Sequence, residues 1–516
     1  MVASICAARA ADVQWPGWRG PNRDGKSPDK GLLKSWSADG PKQLWKVTGI
    51  GQGFSSVSFG GGLIYITGRK EAGNPTKVPA AEHIYVRPGD RKYITAIDMQ
   101  GKVKWSRDVT AAYMGFYKGT RATPTYDNGN LYLLTGTGEI GCYDATNGDA
   151  KWKRDFKEFK AVVLAHGFGV SESVLIVGDL AIVTPGGDCF MVALNKNTGE
   201  TVWQSGPYAG AQHSSAIHVV YQDVPMIING SHKGLVCVHA KTGKILWTQE
   251  FAAKNTANVP TPAFENGYVF WAVGYGKGGI CMKLSVSGEQ VTATEAWRTE
   301  DMDCHHGGYV IVDGYIYGNH ANGWTCLDLK TGAKKWFETA VGKGSLCWAD
   351  GMLYLYNEKD GQAGLATCSP AGLEMKGTVQ VTGEGPSWAH PVVAGGRLYL
   401  RYDDNLYCFD VTADARPGAM MPRNPDPQRG LFQVSYVPVT AEQTITNSIG
   451  MKFELIPAGE FMMGVPMLNK CAARMKDRCI ACASHRLHGR VAQRRISKKP
   501  TQVTVAWKTP LERLGQ

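Results

Sequence analysis

A short pattern of apolar and polar residues recurs along the chain and ends each time near a Trp. Each copy has a small residue, an apolar residue, Asp or a similar residue, a Gly turn and then Trp. Two near copies are CVHAKTGKILW at 237–247 and CLDLKTGAKKW at 326–336. Further copies begin at 96, 142 and 193, a looser one at 281, and a degenerate one without Trp at 368. The spacing of about 40–50 residues is typical of β-propeller blades.

A second pattern alternates with the first: a Gly, Asn or Asp turn followed by a short apolar strand. Examples are GGLIYITG at 61–68, NGNLYLLTG at 128–136 and GGRLYLRYDDN at 395–405, and the pattern occurs eight times. Short alternating strands between such turns are typical of hairpins. Four strands in each of eight units predict an all-β, eight-bladed propeller.

The two ends of the repeat array complement each other. The eighth unit starts normally with LYCFDV at 406–411 but reaches a Pro-rich stretch before any Trp, while PKQLWKV at 41–47 supplies an unassigned strand with Trp45. Adding that N-terminal strand to the last blade would remove the free sheet edges. We therefore predict a closed ring over 35–411, with a leader at 12–34 and a surface insertion at 69–90.

The recurrent Trp predicts the contacts between neighbouring blades. A ring of blades repeats its interfaces, so its docking side chains repeat as well. The predicted docking residues are Trp45, Trp105, Trp152, Trp203, Trp247, Trp297 and Trp336.

The 13 cysteines show a pattern that favours packing over chemistry. Cys142, Cys237, Cys326 and Cys408 occupy one repeat position, which Ala96 and Ala193 fill in sister units, and Cys281 and Cys368 lie there approximately. Alternation with Ala indicates a small apolar requirement, and a buried free Cys satisfies it. Cys189, Cys304 and Cys347 fall outside the pattern and have no predicted partner.

Charge is concentrated at the C-terminus. The formal net charge is +11, but 12 of the 56 Lys and Arg and only 2 of the 45 Asp and Glu lie in 466–516. The body of the chain is therefore close to neutral, which argues against specific nucleic-acid binding. No stretch reaches the roughly 18 apolar residues of a membrane span. We expect a monomeric propeller.

The repeat resembles that of quinoprotein-type propellers with pyrroloquinoline quinone (PQQ) repeats. CLDLKTGAKKW and ALNKNTGETVW match the signature A-x-D-x-x-T-G-x-x-x-W, and WPGWRGPNRDG at 15–25 resembles the leader of secreted bacterial propellers. The resemblance implies an exported protein, periplasmic or secreted. Ala8-Arg9-Ala10 has the pattern of a signal-peptidase site, so 1–11 is predicted to be the remnant of a signal peptide.

The same family includes quinone-dependent alcohol dehydrogenases and an outer-membrane assembly scaffold. The dehydrogenases resemble one another in a vicinal Cys-Cys disulfide over the quinone and in a Ca²⁺ site. This sequence has no adjacent Cys pair and no evident Glu/Asn/Asp set for the metal. We therefore predict no cofactor, no metal and no catalytic residue, with PQQ and Ca²⁺ as the alternative, because a fold does not carry a function.

The candidate site lies around the axis of the predicted ring. The innermost strand of each blade is predicted to bring small polar residues to the channel: Ser55, Thr123, Glu172, Ser214 or Ser215, Thr261, Gly308, Ser345 and His390. Larger polar groups precede those strands and are expected at one mouth. With His390 they form the predicted ligand-binding set of Arg121, His166, His213, His305, His306 and Trp388.

Several functions are open to such a mouth. Imidazoles bind anions or metals such as Zn²⁺, and Trp stacks on sugar or quinone rings. Adjacent His305 and His306 are weak support for a shared site, because neighbours on a strand point to opposite faces. A Ser-His-Asp hydrolase would need a nucleophile elbow, and no G-x-S-x-G is present.

The C-terminal region contains a second resemblance. A Pro-rich linker is predicted at 412–445, and 446–465 reads like the start of a sulfatase-modifying (formylglycine-generating) enzyme domain, cut short. The basic tail at 466–516 is predicted to be disordered or misframed. Its Cys479, Cys482, His485 and His488 are spaced too closely for a zinc finger.

The combined prediction is an exported, non-catalytic propeller that acts as a ligand-binding or protein-interaction scaffold. Its partner would be a protein, a small ligand or a glycan at the mouth. The first alternative is a divergent quinone-dependent oxidoreductase acting on alcohols or sugars. The second is the sensor half of a longer sulfatase-modifying fusion.

Overall fold

The computed structural model describes residues 13, 15–71, 86–113, 117, 119–162, 168–211, 213–254 and 257–413, together with four short strands after 443. The chain divides into two compact units, 1–419 and 420–516. The predicted signal-peptide remnant and nearly all of the linker and tail, including Cys479, Cys482, His485 and His488, lie outside the described residues. The described strands of the second unit form two hairpins: β34 (Thr444–Thr446) with β35 (Lys452–Glu454), and β36 (Phe461–Met463) with β37 (Ala473–Met475).

The described part of the first unit consists of eight antiparallel blades, which confirms the predicted all-β propeller. Two strands precede the first complete blade, β1 (Lys26–Ser27) and β2 (Lys42–Thr48). Blade 1 contains β3 (Ser58–Gly60), β4 (Leu63–Lys70), β5 (Val86–Asp98) and β6 (Val103–Tyr113). Blade 2 contains β7 (Thr125–Asp127), β8 (Asn130–Leu134), β9 (Glu139–Asp144) and β10 (Ala150–Asp155). Blade 3 contains β11 (Leu175–Val177), β12 (Leu180–Val183), β13 (Val192–Asn195) and β14 (Thr201–Gln204).

The remaining blades follow the same order from the axis outward. Blade 4 contains β15 (Ile217–Tyr221), β16 (Val224–Gly230), β17 (Gly234–His239) and β18 (Ile245–Glu250). Blade 5 contains β19 (Ala263–Glu265), β20 (Tyr268–Val273), β21 (Gly278–Ser287) and β22 (Gln290–Thr299). Blade 6 contains β23 (Tyr309–Val312), β24 (Tyr315–His320), β25 (Gly323–Asp328) and β26 (Lys334–Glu338). Blade 7 contains β27 (Gly344–Ala349), β28 (Met352–Asn357), β29 (Gln362–Thr367) and β30 (Met375–Gln380).

Blade 8 closes the ring with an N-terminal strand, as predicted. Its own strands are β31 (Val392–Ala394), β32 (Arg397–Tyr402) and β33 (Asn405–Asp410). The outer edge of β33 pairs antiparallel with β2, which places Trp45 opposite Cys408. The one helical element of the described part is a 3₁₀ turn at Phe156–Phe159. None of the described helical segments has the length and apolar character needed to cross a bilayer.

The recurrent Trp joins each blade to the next one. In five cases the indole Nε1–H donates to a backbone carbonyl of the following blade at 2.8–3.1 Å. The pairs are Trp45 with Met99, Trp152 with Lys196, Trp203 with Ala240, Trp297 with Leu329, and Trp336 with Ser369. Trp105 and Trp247 occupy the same position, but their Nε1 atoms have no hydrogen-bond partner.

The Gly of the motif explains why the same turn is repeated. A Cβ on Gly243 would lie 2.4 Å from a ring carbon of Trp203, and one on Gly199 would lie 2.8 Å from the ring of Trp152. Both glycines have a positive φ, 71° and 76°, which residues with a Cβ rarely adopt. The turn therefore needs Gly for its own backbone and for the Trp of the preceding blade.

Blade 7 departs from the repeat motif, and its strand pairing corrects the repeat position that the sequence assigned to Cys368. Leu365 stands opposite Gly377, where sister blades pair Cys or Ala with Trp, so Cys368 lies three residues beyond the predicted repeat position. Trp36 packs on Gly377, since a Cβ there would lie 2.6 Å from the Trp36 Cβ. Trp36, which precedes the closing strand β2, therefore covers the place of the missing Trp.

Candidate functional site

A pocket of about 250 Å³ opens at one end of the propeller axis. It is formed by loops that lead into the innermost strands, by the turn between β20 and β21, and by one residue from the segment before the ring. Its lining residues are Trp18, Phe54, Tyr117, Arg121, Phe168, Ser171, His213, Ser215, Val259, Tyr275, His305, His306, Trp388 and His390. Loops before an inner strand and turns between the second and third strands lie at the same end of an antiparallel blade, so these residues reach one face of the ring.

Six of the seven predicted ligand-binding residues line this pocket. They are Arg121, His213, His305, His306, Trp388 and His390. His166, the seventh, lies outside the described residues. Sequence reasoning placed these residues by their position before an inner strand, and that topological argument is what brings them together.

The pocket wall is a nearly continuous band of aromatic rings. Ring centroids lie 4.9 Å apart for Tyr275 and His305, 3.8 Å for His305 and His306, and 4.3 Å for His306 and Trp388. Trp388 then meets Tyr117 edge-on at 4.5 Å. Tyr275 and Tyr117 are 57% and 42% exposed, so both ends of the band reach the rim.

The band continues from Tyr117 to the far side of the pocket. Tyr117 stacks with Phe168 at 6.1 Å, and Phe168 meets His213 edge-on at 6.0 Å. His213 Nδ1 lies 2.7 Å from the hydroxyl of Ser171. Rings thus face the pocket from most sides, and such an environment suits a flat ligand.

His305 and His306 point into the same pocket, contrary to the expectation that neighbours face opposite ways. They lie in a bend before β23 and not on a strand, so the strand alternation does not apply. Lys343 Nζ lies 3.2 Å from His305 Nδ1, and Glu358 lies 3.4 Å from His306 Nδ1. An ammonium donates, so we assign Nδ1 of His305 as an acceptor and Nδ1–H of His306 as a donor.

Three of the pocket imidazoles, those of His305, His306 and His390, are neutral at physiological pH. Burial lowers the pKa of His305 to about 3, and the neighbouring His306 and Lys343 add to that effect. Burial also lowers the pKa of His390 to about 3, with Arg19 adding to it. For His306 burial outweighs the carboxylate of Glu358 and lowers its pKa. These rings therefore act as neutral donors and acceptors.

Arg121 is the principal positive charge of the pocket. Burial lowers the pKa of its guanidinium to about 10, so it stays charged at neutral pH. Its hydrogen bonds go to the carbonyl oxygens of Gly119 at 3.1 Å and Tyr117 at 2.8 Å. Among the described lining residues there is no Asp or Glu to balance it. A partly buried cation without an acidic partner favours an anion.

A belt of hydroxyl groups beneath the pocket holds neighbouring blades together. Backbone N–H groups of His390, Ser56, Thr123 and Ser173 donate, in that order, to the hydroxyls of Ser56, Thr123, Ser173 and Ser215 in the next blade, at 3.0–3.1 Å.

Two residues of this belt, Thr123 and Ser215, were among the residues predicted to face the channel. In the other two blades the prediction was one residue away: it gave Ser55 where Ser56 bonds, and Glu172 where Ser173 bonds. A one-residue shift reverses the side on which a side chain lies.

Glu172 is buried within blades 3 and 4 and does not line the pocket. Its carboxylate accepts from the backbone N–H of Thr184 at 2.8 Å, from the Thr184 hydroxyl at 3.0 Å and from Asn229 at 3.3 Å. Burial raises its pKa to about 7, although Arg23 and these hydrogen bonds oppose that rise. The side chain of Glu172 therefore makes its hydrogen bonds inside the ring, with Thr184 and Asn229.

A buried acid and a buried amide of blades 3 and 4 bond to each other. Asn229 donates to the carboxylate of Glu172, and both bond to Thr184. Within the described ranges no three His, Cys, Asp or Glu side chains are grouped as metal ligands. No adjacent Cys pair exists in the sequence. The expectation that no quinone and no Ca²⁺ is bound stays a prediction.

Comparison with known proteins supports the quinoprotein-type propeller. Residues 90–338 match the family described as outer membrane protein assembly factor BamB. The chain is 27% identical over 276 residues to outer membrane protein assembly factor BamB of Yersinia pestis, covering 50% of this chain and 65% of that one. It is 26% identical over 229 residues to quinoprotein alcohol dehydrogenase PedH of Pseudomonas putida, covering 40% and 34%. The aligned parts thus span less than two thirds of either relative.

One solved structure supports the fold alone. The quinohemoprotein alcohol dehydrogenase of Comamonas testosteroni superimposes with a TM-score of 0.56 at 12% identity, covering 83% of this chain and 86% of that one. These matches concern the PQQ-like repeat, and the sulfatase-modifying resemblance at 446–465 stays a prediction.

Proposed function

We propose that this protein is a non-catalytic binding propeller whose axial pocket takes a small, flat ligand with an anionic group. The observation that carries the proposal is the charge of Arg121, which has no acidic partner among the described lining residues and lies within a wall of aromatic rings. A flat ring would stack on His306 or Trp388, and its acidic group would pair with the guanidinium. The occupied mouth, with Tyr117 and Tyr275 exposed at its rim, would then be presented to a protein partner.

The lining favours an anion over a neutral glycan. A neutral sugar would leave the charge of Arg121 unpaired, because no described lining residue is a carboxylate. The volume of about 250 Å³ is near the lower end of ligand pockets, so it suits one or two fused rings. His305, with Nε2–H free to donate, and Ser171 supply neutral polar contacts for orientation.

A matched pair of probes tests the charge requirement. Binding of 2-naphthoate and of its neutral analogue 2-naphthamide would be measured by calorimetry with wild-type protein and Arg121→Gln. We expect naphthoate to bind wild-type protein at least about tenfold more tightly than the amide, and Arg121→Gln to remove that preference. Equal affinity of wild-type protein for the two probes, or no binding of either, would contradict the proposal.

The competing function is quinone-dependent oxidation of alcohols or sugars, which the match to a quinoprotein alcohol dehydrogenase favours. The experiment adds PQQ and Ca²⁺ to purified protein and measures dye reduction with alcohols or aldose sugars. We expect no substrate-dependent reduction. Turnover that disappears when the quinone is omitted would replace the scaffold with an oxidoreductase.

We further propose export to the periplasm or cell surface, as the name of the outer-membrane assembly relative suggests. The free cysteines seemed to oppose this, since unpaired thiols are uncommon in exported proteins. Eight of the nine cysteines in the described part are buried. Burial raises the pKa of Cys237 well above its ordinary value and that of Cys142 to about 11. Protonated, buried thiols resist oxidation, so they are compatible with an oxidising compartment.

A further inference from the structure

We infer that the segment from Trp15 to Ser27 is part of the ligand site: Trp18 forms the floor of the pocket and contacts the ligand. The placement of this segment in the axial channel, which we call its seating, is then coupled to ligand binding. The inference rests on the proposed function, because it names a ligand-contacting residue of that same pocket. The segment corresponds to WPGWRGPNRDG at 15–25 and the strand that follows, which the sequence marked as a leader outside the ring.

The segment crosses the axial channel and bonds to most of the blades. The carbonyl oxygens of Trp15 and Pro16 accept from the N–H groups of Phe59 in blade 1, at 2.8 Å, and Tyr126 in blade 2, at 2.7 Å. Strand β1 then pairs parallel with the innermost strand of blade 7, Lys26 opposite Trp348. These are main-chain contacts, so they fix the path of the segment independently of its side chains.

Two buried arginines fasten the middle of the segment. Arg19 donates to the carbonyl of Tyr309 in blade 6, and Arg23 donates to the carbonyl of Ser173 in blade 3 at 2.5 Å. Arg19 is 4% exposed and Arg23 is 7% exposed. Guanidinium groups held by carbonyls inside a channel are costly to withdraw, because withdrawal leaves those carbonyls without partners.

Glycines allow the close passage. Gly20 has φ of 85° and lies under Trp15, where a Cβ would be 3.0 Å from the ring. Gly25 has φ of 75°, and a Cβ there would be 2.7 Å from the Arg19 guanidinium. Both positions need the left-handed conformation that Gly adopts without strain. The Gly, Trp and Arg residues of WPGWRGPNRDG thus each help to hold the segment in the channel.

Trp18 stands at the point where the segment meets the pocket. Its Nε1–H donates to the hydroxyl of Thr261 in blade 5 at 2.9 Å, which fixes the orientation of the ring. The ring lies 4.5 Å from that of His390, and both residues line the pocket. His390 is itself held by a contact of its Nε2 with the carbonyl of His306 at 3.1 Å. A ligand in the pocket therefore meets Trp18 from below and the aromatic wall from the sides.

This arrangement has a thermodynamic consequence. If the ligand contacts Trp18 only when the segment is seated, binding stabilises the seated segment, and the seated segment raises affinity by the same factor. The site is then built from two parts of the chain that the repeat pattern separates. The measured ligand affinity then also reports whether the segment before the ring occupies its place in the channel.

The test compares three variants with the naphthoate probe in the full chain. Trp18→Ala removes the floor, Trp18→Phe keeps a ring but loses the bond to Thr261, and Thr261→Val removes the acceptor while it keeps the Trp. We expect affinity to fall about tenfold in Trp18→Ala and two- to threefold in the other two variants. The thermal midpoint of each variant checks that the propeller still folds.

A second measurement examines the coupling directly. Hydrogen exchange of backbone amides in 19–27 is followed in wild-type protein with and without saturating naphthoate. We expect slower exchange with the probe present, and no such change in Trp18→Ala. Exchange over the outermost strands β22 and β26, none of whose residues lines the pocket, serves as the control.

The outcomes separate this inference from the proposed function. If wild-type protein binds naphthoate and Arg121→Gln weakens binding while Trp18→Ala does not, the pocket stands and the role of Trp18 is wrong. If Trp18→Ala does not fold, the naphthoate affinity of Thr261→Val and the hydrogen exchange of wild-type protein decide whether Trp18 contacts the ligand. If wild-type protein does not bind the probe, both the proposed function and this inference are wrong.

Discussion

The outer part of each blade and the axial mouth follow opposite rules. At the periphery the same contacts recur: a Trp on the fourth strand, a small residue opposite it, and a Gly turn in the next blade. At the mouth each blade contributes a different residue, such as Arg121 from blade 2 and His213 from blade 4. Repetition maintains the ring, and divergence at the axis lines the pocket with a different side chain from each contributing blade.

The two regions also differ in how their polar groups are satisfied. Peripheral indoles donate to carbonyls of the neighbouring blade, and the hydroxyl belt does the same nearer the axis. The mouth instead has a guanidinium with no carboxylate among the described lining residues, together with several neutral imidazoles. Functional sites commonly keep such unbalanced groups at some expense of stability.

Removing a peripheral Trp should have the largest effect. Trp203 is 8% exposed, donates to Ala240 and packs on Gly243. We expect Trp203→Ala to lower the free energy of unfolding by about 3–5 kcal/mol, measured by urea denaturation. Val220→Ala, at a position 58% exposed, is the matched control and should change little. A loss below about 1 kcal/mol would refute the docking role of this Trp.

The buried carboxylate of Glu172 should make stability depend on pH. Its pKa is raised from 4.5 to about 7 in the folded protein. Its contribution is therefore fully present below about pH 4.5, is lost as pH rises to about 7, and is constant above that. We expect a loss on the order of 3 kcal/mol over this range, obtained as the difference between wild type and Glu172→Gln. Parallel stability curves for the two proteins would show that Glu172 does not titrate in this way.

The repeat position occupied by Cys should tolerate Ala. Cys237 stands opposite Trp247 and is fully buried, and sister blades place Ala96 and Ala193 opposite their own Trp. We expect Cys237→Ala to cost about 1 kcal/mol or less by urea denaturation. Cys237→Leu should cost more, because the added volume has no space beneath the Trp. Equal effects of the two substitutions would argue against a size requirement.

Changing the mouth should leave stability almost untouched. Arg121 donates to two carbonyls, its guanidinium lies over the ring of Phe54, and no ion pair joins it to an acidic residue among those described. We expect Arg121→Met to stay within about 1 kcal/mol of wild type by urea denaturation, while naphthoate affinity falls. If Arg121→Met were as destabilising as Trp203→Ala, the role of Arg121 would be to stabilise the propeller and not to bind a ligand.

Several features of the site followed from sequence because they depend on position within the repeat. His305 and Trp388 both precede an inner strand, and topology alone brings such residues to one face. The contributions of Tyr275 and Phe168 were missed, because nothing in the repeat distinguishes them from other loop aromatics. The errors at Cys368 and at Ser55 were shifts of one to three residues, which a repeat with few invariant positions does not resolve.

The sequence by itself determined the ring: the number of blades, the closing strand and the identity of the docking Trp residues. Those features rest on local periodicity, which each blade expresses through its own turns and strands. Only the tertiary structure decided that Trp18 and Trp36, outside the repeat, lie on the axis and on blade 7. Contacts of that kind join residues separated by hundreds of positions, as between Trp18 and Thr261, and no local pattern records them. They depend on which surfaces become neighbours once the ring has closed.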